Sequence, residues 1–516
     1  MAGPRTHCRL PAAAMGLAKA LGRVCAGLLL AGAAGGAARA EQPWAEQGDK
    51  QLRQDVETLK GYRLIKGPVD SWPLPWSQII EGVEAAEAGH VPPFVAAAAA
   101  RLRANAGVAE QDTSYEVRAG GTNRPALIRD FGYTAREKAD VAIRVTNNLG
   151  NLTINYGVGY RYHQAGDDYH FEPSSFVFRA GNWALYGGYV GKYYGPGNDS
   201  ALMFSNGARP FPKIGIQRLY PYKPRPKLLR WIGPWRFDFF GGVLDERRLD
   251  VKFPIEFGMR FSFEPARGLE IGLNRSILIC GGRVPTTVIQ PGDPTGGTLC
   301  GVSPVTKALF PFFGGTQPGD SLAGIDLAFT RPIGGAVAKV YYEAEGEDKN
   351  GIQQFDQVGQ IGGATLTLPV GGKGASAQVL VEYIDTLARI FTTDRAIPGS
   401  FYGNTFFFSG KEYKGNPLGA SIGGDGDMTT IGVSVTDTLN RRYYSSYRHA
   451  NINKTGRGFI APSANPETIN IGTLGTEWPT GFGDVRVEGR VMDNDVNTPG
   501  RSPTKGEFEV SWRTRF

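Results

Sequence analysis

The chain has 516 residues, long enough for one large domain or several, with 56 Lys and Arg against 49 Asp and Glu. The first forty residues hold five of those bases and no acid, so the remainder carries 51 bases against 49 acids, a net charge of +2. A balance that even gives no electrostatic footprint for nucleic acid, which is excluded as a partner.

Residues 1–40 read as a cleaved secretory signal. Arg5, Arg9, Lys19 and Arg23 precede the apolar stretch "VCAGLLLAGAA" (24–34), and Ala38-Arg39-Ala40 supplies small residues around a cleavage point before Glu41. The apolar run is well short of the ~20 residues that a spanning helix needs. Cys25 follows Gly-Arg-Val, a poor context for lipidation.

Residues 41–112 follow a helical period. "GDKQLRQDVETLKG" spaces Leu52, Val56 and Leu59 on one face and stops at Gly61. A Pro-rich turn then leads into a helix carrying Ile79, Ile80 and Val83. "PPFVAAAAARLRANAG" starts a third helix on Pro-Pro and continues through five alanines. Three short helices bury little core alone, so they are expected to pack on the periplasmic mouth of the barrel that follows, with a loosely ordered linker as the alternative.

From residue 113 to 516 the period changes to two. "NLTINYGVGYRY" places Leu152, Ile154, Tyr156, Val158 and Tyr160 on one face of a strand, opposite Thr153, Asn155, two glycines and Arg161. "IEFGMRFSFE" sets Ile255, Phe257, Met259, Phe261 and Phe263 against Glu256, Gly258, Arg260, Ser262 and Glu264. "WRFDFFGGV", "LEIGLNR", "SAQVLVEY" and "DVRVEGRV" repeat the pattern. The second face mixes glycine with charge, which suits a crowded lumen better than bulk water. Strands of about ten alternating residues are the signature of an outer-membrane barrel, closed so that no edge is left in lipid. Connection lengths make an independent test, because such barrels pair short periplasmic turns with long outer loops. Eleven strands are expected from residue 255 onward. Their connections are short at 264–268, long at 278–320, short at 332–335, longer at 346–357, short at 370–374, long at 386–427, short at 437–440 and long at 450–467. With residues 113–254 included, 16 to 18 strands are expected. The terminal "FEVSWRTRF" alternates strictly and ends on Phe516, an expected recognition signal for the barrel-insertion machinery.

Of the four cysteines, Cys280 and Cys300 fall beyond the signal and bracket a Gly-, Pro- and Thr-rich segment. A disulfide closing an outer loop is expected, with two free thiols as the alternative. No His lies near them, and no metal or cofactor is expected.

Several ordered motifs carry a family resemblance. "LRQDVETLKGYRLIKGPVDSWPLPWSQI" (52–79) and "GNWALYGGYVGKYYGPGNDSALMFSNGARPFPKIGIQR" (181–218) resemble the capsule assembly protein Wzi family. "EIGLNRSILICGG" (270–282), "YYEAEGED" (341–348), "YKGNPLGASIGGD" (413–425) and "YRHANIN" (447–453) resemble it too. The likeness departs at Tyr193-Tyr194, where the family often has tryptophans, around Cys280–Cys300, and in the Phe-rich stretch 401–408. It implies an all-β transmembrane barrel of about eighteen antiparallel strands with a small periplasmic helical bundle. It also implies a lectin-like, non-enzymatic role in attaching exported polysaccharide to the cell surface. A single copy in outer-membrane lipid is expected. A diffusion porin is the alternative, since it would share the signal, the alternation and the terminal Phe.

Sugar binding calls for flat aromatic faces beside a few polar groups. Loop 386–427 offers Phe401, Tyr402, Phe406, Phe407, Phe408 and Tyr413 beside Arg395, Lys411 and Lys414, whose charges would suit an acidic glycan. The competing reading is that these aromatics pack the loop over the barrel mouth. Arg236, Asp238, Glu256 and Arg260 are expected to face the lumen as a charge network that fills or narrows it, with pore selectivity as the alternative. Catalysis finds little support. "MFSNG" (203–207) resembles the serine motif of the outer-membrane phospholipase, but Met203 stands where that chemistry needs a histidine. "GGDGD" (423–427) reads as a turn, because it lacks the spaced oxygen ligands of a calcium loop.

Overall fold

The computed structural model describes residues 42–516 apart from 163–167, 225, 247, 249, 280, 284–318, 350–351, 390–400, 405–406, 459 and 498–504. At 282–283, 348–349 and 352–357 it describes the backbone alone. The expected signal peptide, Cys280 and Cys300, Arg395 and Phe406 therefore lie outside the described residues.

The barrel strands are, in chain order, β1 Thr113–Thr122, β2 Ala139–Leu149, β3 Leu152–Tyr162, β4 in two pieces Asp168–His170 and Ser175–Ala180, β5 Trp183–Gly188, β6 Lys213–Arg218 and β7 Trp235–Val243. Then come β8 Ile255–Ala266, β9 Leu269–Ile279, β10 Asp320–Ile333, β11 Ala336–Lys349, β12 Ile352–Val370 and β13 Ala375–Asp385. The last five are β14 Asp427–Thr436, β15 Arg442–Ile452, β16 Glu467–Thr480, β17 Gly483–Met492 and β18 Lys505–Arg515. β4 is broken into Asp168–His170 and Ser175–Ala180, which pair with opposite halves of β3. Counted as one, it brings the closed, all-antiparallel barrel to eighteen strands. The seam joins β18 to β1, with Arg515 opposite Glu116 and Glu509 opposite Thr122. Phe516 extends it, exchanging both backbone hydrogen bonds with Tyr115 at 2.7 and 3.1 Å and stacking on its ring at 5.5 Å.

Outward positions such as Val141, Ile143, Val158, Leu273, Ile325, Val381, Ile431 and Val433 are exposed and apolar, a surface that only lipid would solvate. One rim is made of tight turns. Gly334 and Gly335, at φ 54° and 86°, close the β10–β11 hairpin in the left-handed region that a two-residue turn demands. The tight-turn rim is the periplasmic one in this architecture. The connection expected at 346–357 differs: β11 and β12 stay paired from Lys349↔Ile352 inward, across a bulge between Gly346 and Asp348. Alternation was lost to the eye in "EGEDKNGIQQFDQ" because both faces there are polar. Backbone pairing does not need an apolar face.

Three helices precede the barrel: α1 Lys50–Gly61, α2 Trp76–Ala88 and α3 Pro93–Ala109. The Asp49 carboxylate caps α1 by accepting from the Leu52 N–H at 2.9 Å. Pro93 opens the first turn of α3, where a missing N–H costs nothing. Leu52, Val56 and Leu59 pack with Ile79, Val83, Phe94, Val95, Ala98 and Leu102 in one apolar cluster. These helices sit at and inside the tight-turn rim. The Tyr62 hydroxyl donates to the Gly335 carbonyl, Arg101 to Asn440, and Asn148 to the Ala109 carbonyl. α1 enters deepest. Its polar residues Arg53, Gln54, Asp55, Glu57, Thr58 and Lys60 are as buried as its apolar ones. A Cβ on Gly61 would lie 2.4 Å from Val337 on β11, so only glycine lets the helix end approach the wall this closely.

Candidate functional site

From the opposite rim, three long connections fold inward and meet above α1. They are Asn123–Lys138 between β1 and β2, Tyr189–Pro212 between β5 and β6, and the described part of Thr386–Gly426 between β13 and β14. The second descends furthest. Tyr193 and Tyr194 pair backbone to backbone with Trp72 and Ser71, just ahead of α2. Phe131 of the first connection packs edge-on against both Trp72 and Tyr193, at 5.2 and 5.0 Å. Leu418 of the third accepts from the Ser205 N–H at 2.8 Å.

Inward-facing charges of the wall hold these pieces. Arg236 donates to the carbonyls of Ser71 and Pro73 at 2.9 and 3.1 Å. Asp238 accepts from Lys192 at 2.5 Å, Tyr194 at 2.8 Å and Tyr186 at 2.9 Å. Arg260 forms a two-pronged pair with Asp326 at 2.5 and 3.0 Å and a hydrogen bond to Asn274 at 2.6 Å. Glu256 accepts from Ser276 and lies 3.5 Å from Lys411 Nζ. Lys339 on β11 reaches Glu57 at 2.9 Å, Asp70 at 2.6 Å and the Pro196 carbonyl at 3.2 Å. Arg448 on β15 binds Asp199 at 2.6 Å and Asp130 at 3.0 Å. The four charges singled out from sequence all face the interior, and three of them are engaged by residues of the plug or the inward loops. These contacts hold the filling of the barrel; they do not line a bare channel.

The residues expected to bind sugar divide between interior and surface. Tyr402 is fully buried, donating to the Leu202 carbonyl at 2.5 Å and accepting from the Ala420 N–H at 2.9 Å. Lys411 is buried and donates to Ser276 at 2.8 Å. Tyr413 is buried and donates to Asp245. Phe408 is 40% exposed, and Lys414 extends over the Tyr413 ring at 5.1 Å. Phe401 and Phe407 are fully buried. The aromatic content of the loop thus serves mainly to seat it on the mouth.

A different group of residues converges on open space. A cavity of about 190 Å³ lies beneath the loops, walled by Tyr133, Arg136, Tyr189, Asn206, Arg209 and Phe211. Arg129 stands beside it, buried, with Nη1 donating to Asn416 at 2.6 Å and to the Gly207 carbonyl at 3.2 Å. Its Nε has no hydrogen-bond partner among the described residues. Arg136 donates to the Asn206 carbonyl at 2.7 Å. Arg209 pairs with Glu137 and lies 3.6 Å from Glu172. Neither Arg129 nor Arg136 has an ion-pair partner among the described residues. Burial, then the neighbouring guanidiniums of Arg136 and Arg209, pushes Arg129 down to about 9. Burial, with Arg136 beside it, pushes Arg209 down to about 10. Glu46, Glu116, Glu137, Asp140 and Glu172 share the wall with these cations, so the cavity offers hydrogen-bonding groups of both signs beside aromatic rings. Sequence reasoning passed over these three arginines, although Arg209 lies in the Ala-Arg-Pro element that carried the family likeness.

An eighteen-stranded barrel whose lumen is closed by helices from one side and by inward loops from the other defines a plugged outer-membrane barrel. Residues 109–505 match the capsule assembly protein Wzi family, and the chain belongs to that family. It is 20% identical to Wzi of Escherichia coli, described as an outer-membrane protein involved in group 1 capsule assembly and a carbohydrate-binding β-barrel. That likeness has a TM-score of 0.75 and covers 92% of this chain and 100% of that one. It is 25% identical over 441 residues to a 55.8 kDa protein in the cps region of Klebsiella pneumoniae, covering 83% of this chain and 81% of the relative. Pseudomonas aeruginosa OprD shares 9% identity at a TM-score of 0.41, over 78% of this chain and 94% of that one, too distant to bear on function. The protein is an outer-membrane protein.

Proposed function

We propose that the protein is a lectin-like barrel that binds an exported polysaccharide at its outer mouth and holds it on the cell surface. It acts by binding, without catalysis. The observation that carries this reading is an aromatic-walled cavity under the outer loops, lined by Arg136 and Arg209 together with carboxylates. A space of about 190 Å³ suits a single sugar ring, whose hydroxyls can both donate to the carboxylates and accept from the arginines of the wall. Phe408 and Lys414, exposed on the loop above, extend the contact surface along the polymer. Support also comes from the carbohydrate-binding description of the Escherichia coli relative. The ion pairs that join wall to filling favour a barrel that holds over one that conducts.

The test is the partition of polysaccharide between cells and medium. A deletion strain should shed polymer without changing the total made, and the wild-type gene should restore retention. Arg136→Gln and Arg209→Gln, at normal outer-membrane levels, should leave retention close to that of the deletion. A partition that does not move in the deletion refutes the reading. One restored fully by both variants refutes the arginine site.

A further inference from the structure

The tight-turn rim has one long connection, Leu219–Pro234 between β6 and β7, and it is unlike its neighbours. Lys227–Ile232 forms a short 3-10 turn none of whose residues is buried. Phe263 points outward from β8, yet it is only 7% exposed, because Trp231 covers it edge-on at 6.1 Å. Trp231 itself is 64% exposed, Leu228 85% exposed, and Leu229 and Tyr222 are exposed beside them. The patch continues into the lipid-facing aromatics of the rim: Trp235 stands 5.7 Å from Phe261 and 6.4 Å from Trp183. Cations run along it. The Arg218 guanidinium lies 3.5 Å over the Trp235 ring, and Lys223, Lys227 and Arg230 follow within the connection. No acidic residue occurs from Leu219 to Trp235.

We propose that this connection is a docking surface for anionic phospholipid of the periplasmic leaflet. Leu228 and Trp231 enter the acyl boundary, and Lys223, Lys227 and Arg230 meet the phosphates. Continuity with the lipid-facing band argues for lipid over protein, because the patch begins where the spanning surface ends. The charge argues for anionic headgroups. Aromatic residues settle at the headgroup level, and each cation near an anionic surface strengthens attachment about fivefold.

The test uses the full-length protein in nanodiscs containing brominated phosphatidylglycerol or brominated phosphatidylcholine. The Trp231 signal is isolated as wild type minus Trp231→Phe. Bromine should quench that signal, and phosphatidylglycerol should be preferred at least about tenfold at low salt. Lys223→Gln/Lys227→Gln/Arg230→Gln should reduce the preference at least about fivefold while heat-dependent gel mobility shows the barrel intact. No quenching by either lipid overturns the lipid contact. Equal quenching by both, or a preference that survives the triple substitution, overturns recognition of the headgroup charge.

Discussion

Lys339→Met is the most informative single change, because one ammonium on the wall joins three parts of the filling. Its Nζ lies 2.6 Å from Asp70, 2.9 Å from Glu57 and 3.2 Å from the Pro196 carbonyl, all buried. Methionine keeps the volume and removes the charge. Arg53 then remains between Glu57 at 3.1 Å and Asp70 at 3.8 Å, one cation for two carboxylates. Breaking a buried pair in this way costs about 3–5 kcal/mol. The loss falls on the docking of α1 and of the Tyr189–Pro212 connection, since the barrel ladder is untouched. Opening of these segments should therefore become about two to four orders of magnitude more frequent. Hydrogen exchange of residues 50–72 and 189–200 in detergent-solubilised protein reads this directly, with β13 to β15 as the internal control. Adding Glu57→Gln should restore part of the protection by removing the stranded carboxylate. A change below tenfold, or equal deprotection of plug and barrel, would refute the reasoning.

Gly61→Ala should loosen α1 by about 1–3 kcal/mol, because the new methyl meets the stiff Val337 side chain; exchange of α1 amides reports it. Tyr402→Phe orphans the Leu202 carbonyl and the Ala420 N–H, at a cost of about 1–3 kcal/mol, seen as faster proteolysis within 401–426 with the barrel unchanged. Glu412, in the outer loop, is pushed up to about 7 by burial, with Glu246 and Asp250 adding to the effect against Arg248. A raised carboxyl means that the folded loop binds its proton more tightly than the open loop does. Its docking is therefore firmest below the ordinary carboxylate range and weakens as pH rises through about 7. Corrected for the intrinsic pH dependence of amide exchange, opening of the loop should become more frequent between pH 5 and 8 in wild type, and Glu412→Gln should reduce that dependence. Planar-bilayer recordings should show no steady conductance from the wild-type protein.

The barrel was legible because lipid imposes a rule on every second residue. Ile255, Phe257, Met259, Phe261 and Phe263 must be apolar whatever surrounds them, so the period survives in a single sequence. The exception, 346–357, has polar residues on both faces and left no period to read. The inward charges were legible for the same reason, as the other half of the alternation. The interior site was not. Tyr402, Lys411 and Tyr413 share a loop and a composition, but their burial is set by Leu202, Ser276 and Asp245, each more than 130 residues away in the chain. Arg129, Arg136 and Arg209 come from two connections with no shared local pattern. Their proximity exists only after the barrel has brought β1, β2, β5 and β6 side by side. The Leu219–Pro234 patch had a local signal, cations alternating with prolines ahead of Leu-Leu-Arg-Trp, but a strand count treats it as one more connection.

The polar surface of α1 has a mechanical meaning. A plug seated by hydrocarbon would have to pay the full cost of wetting that hydrocarbon whenever it moved. Here Glu57 and Lys60 face Lys339 and Glu264 of the wall, and each of these ions is at home in water. Losing one partner strands its mate in a dry interior. Separating both lets solvent hydrate each, and much of the lost attraction is returned. The filling is thus rigid against single defects and yielding to whole-body displacement, the behaviour of a latch more than of a weld.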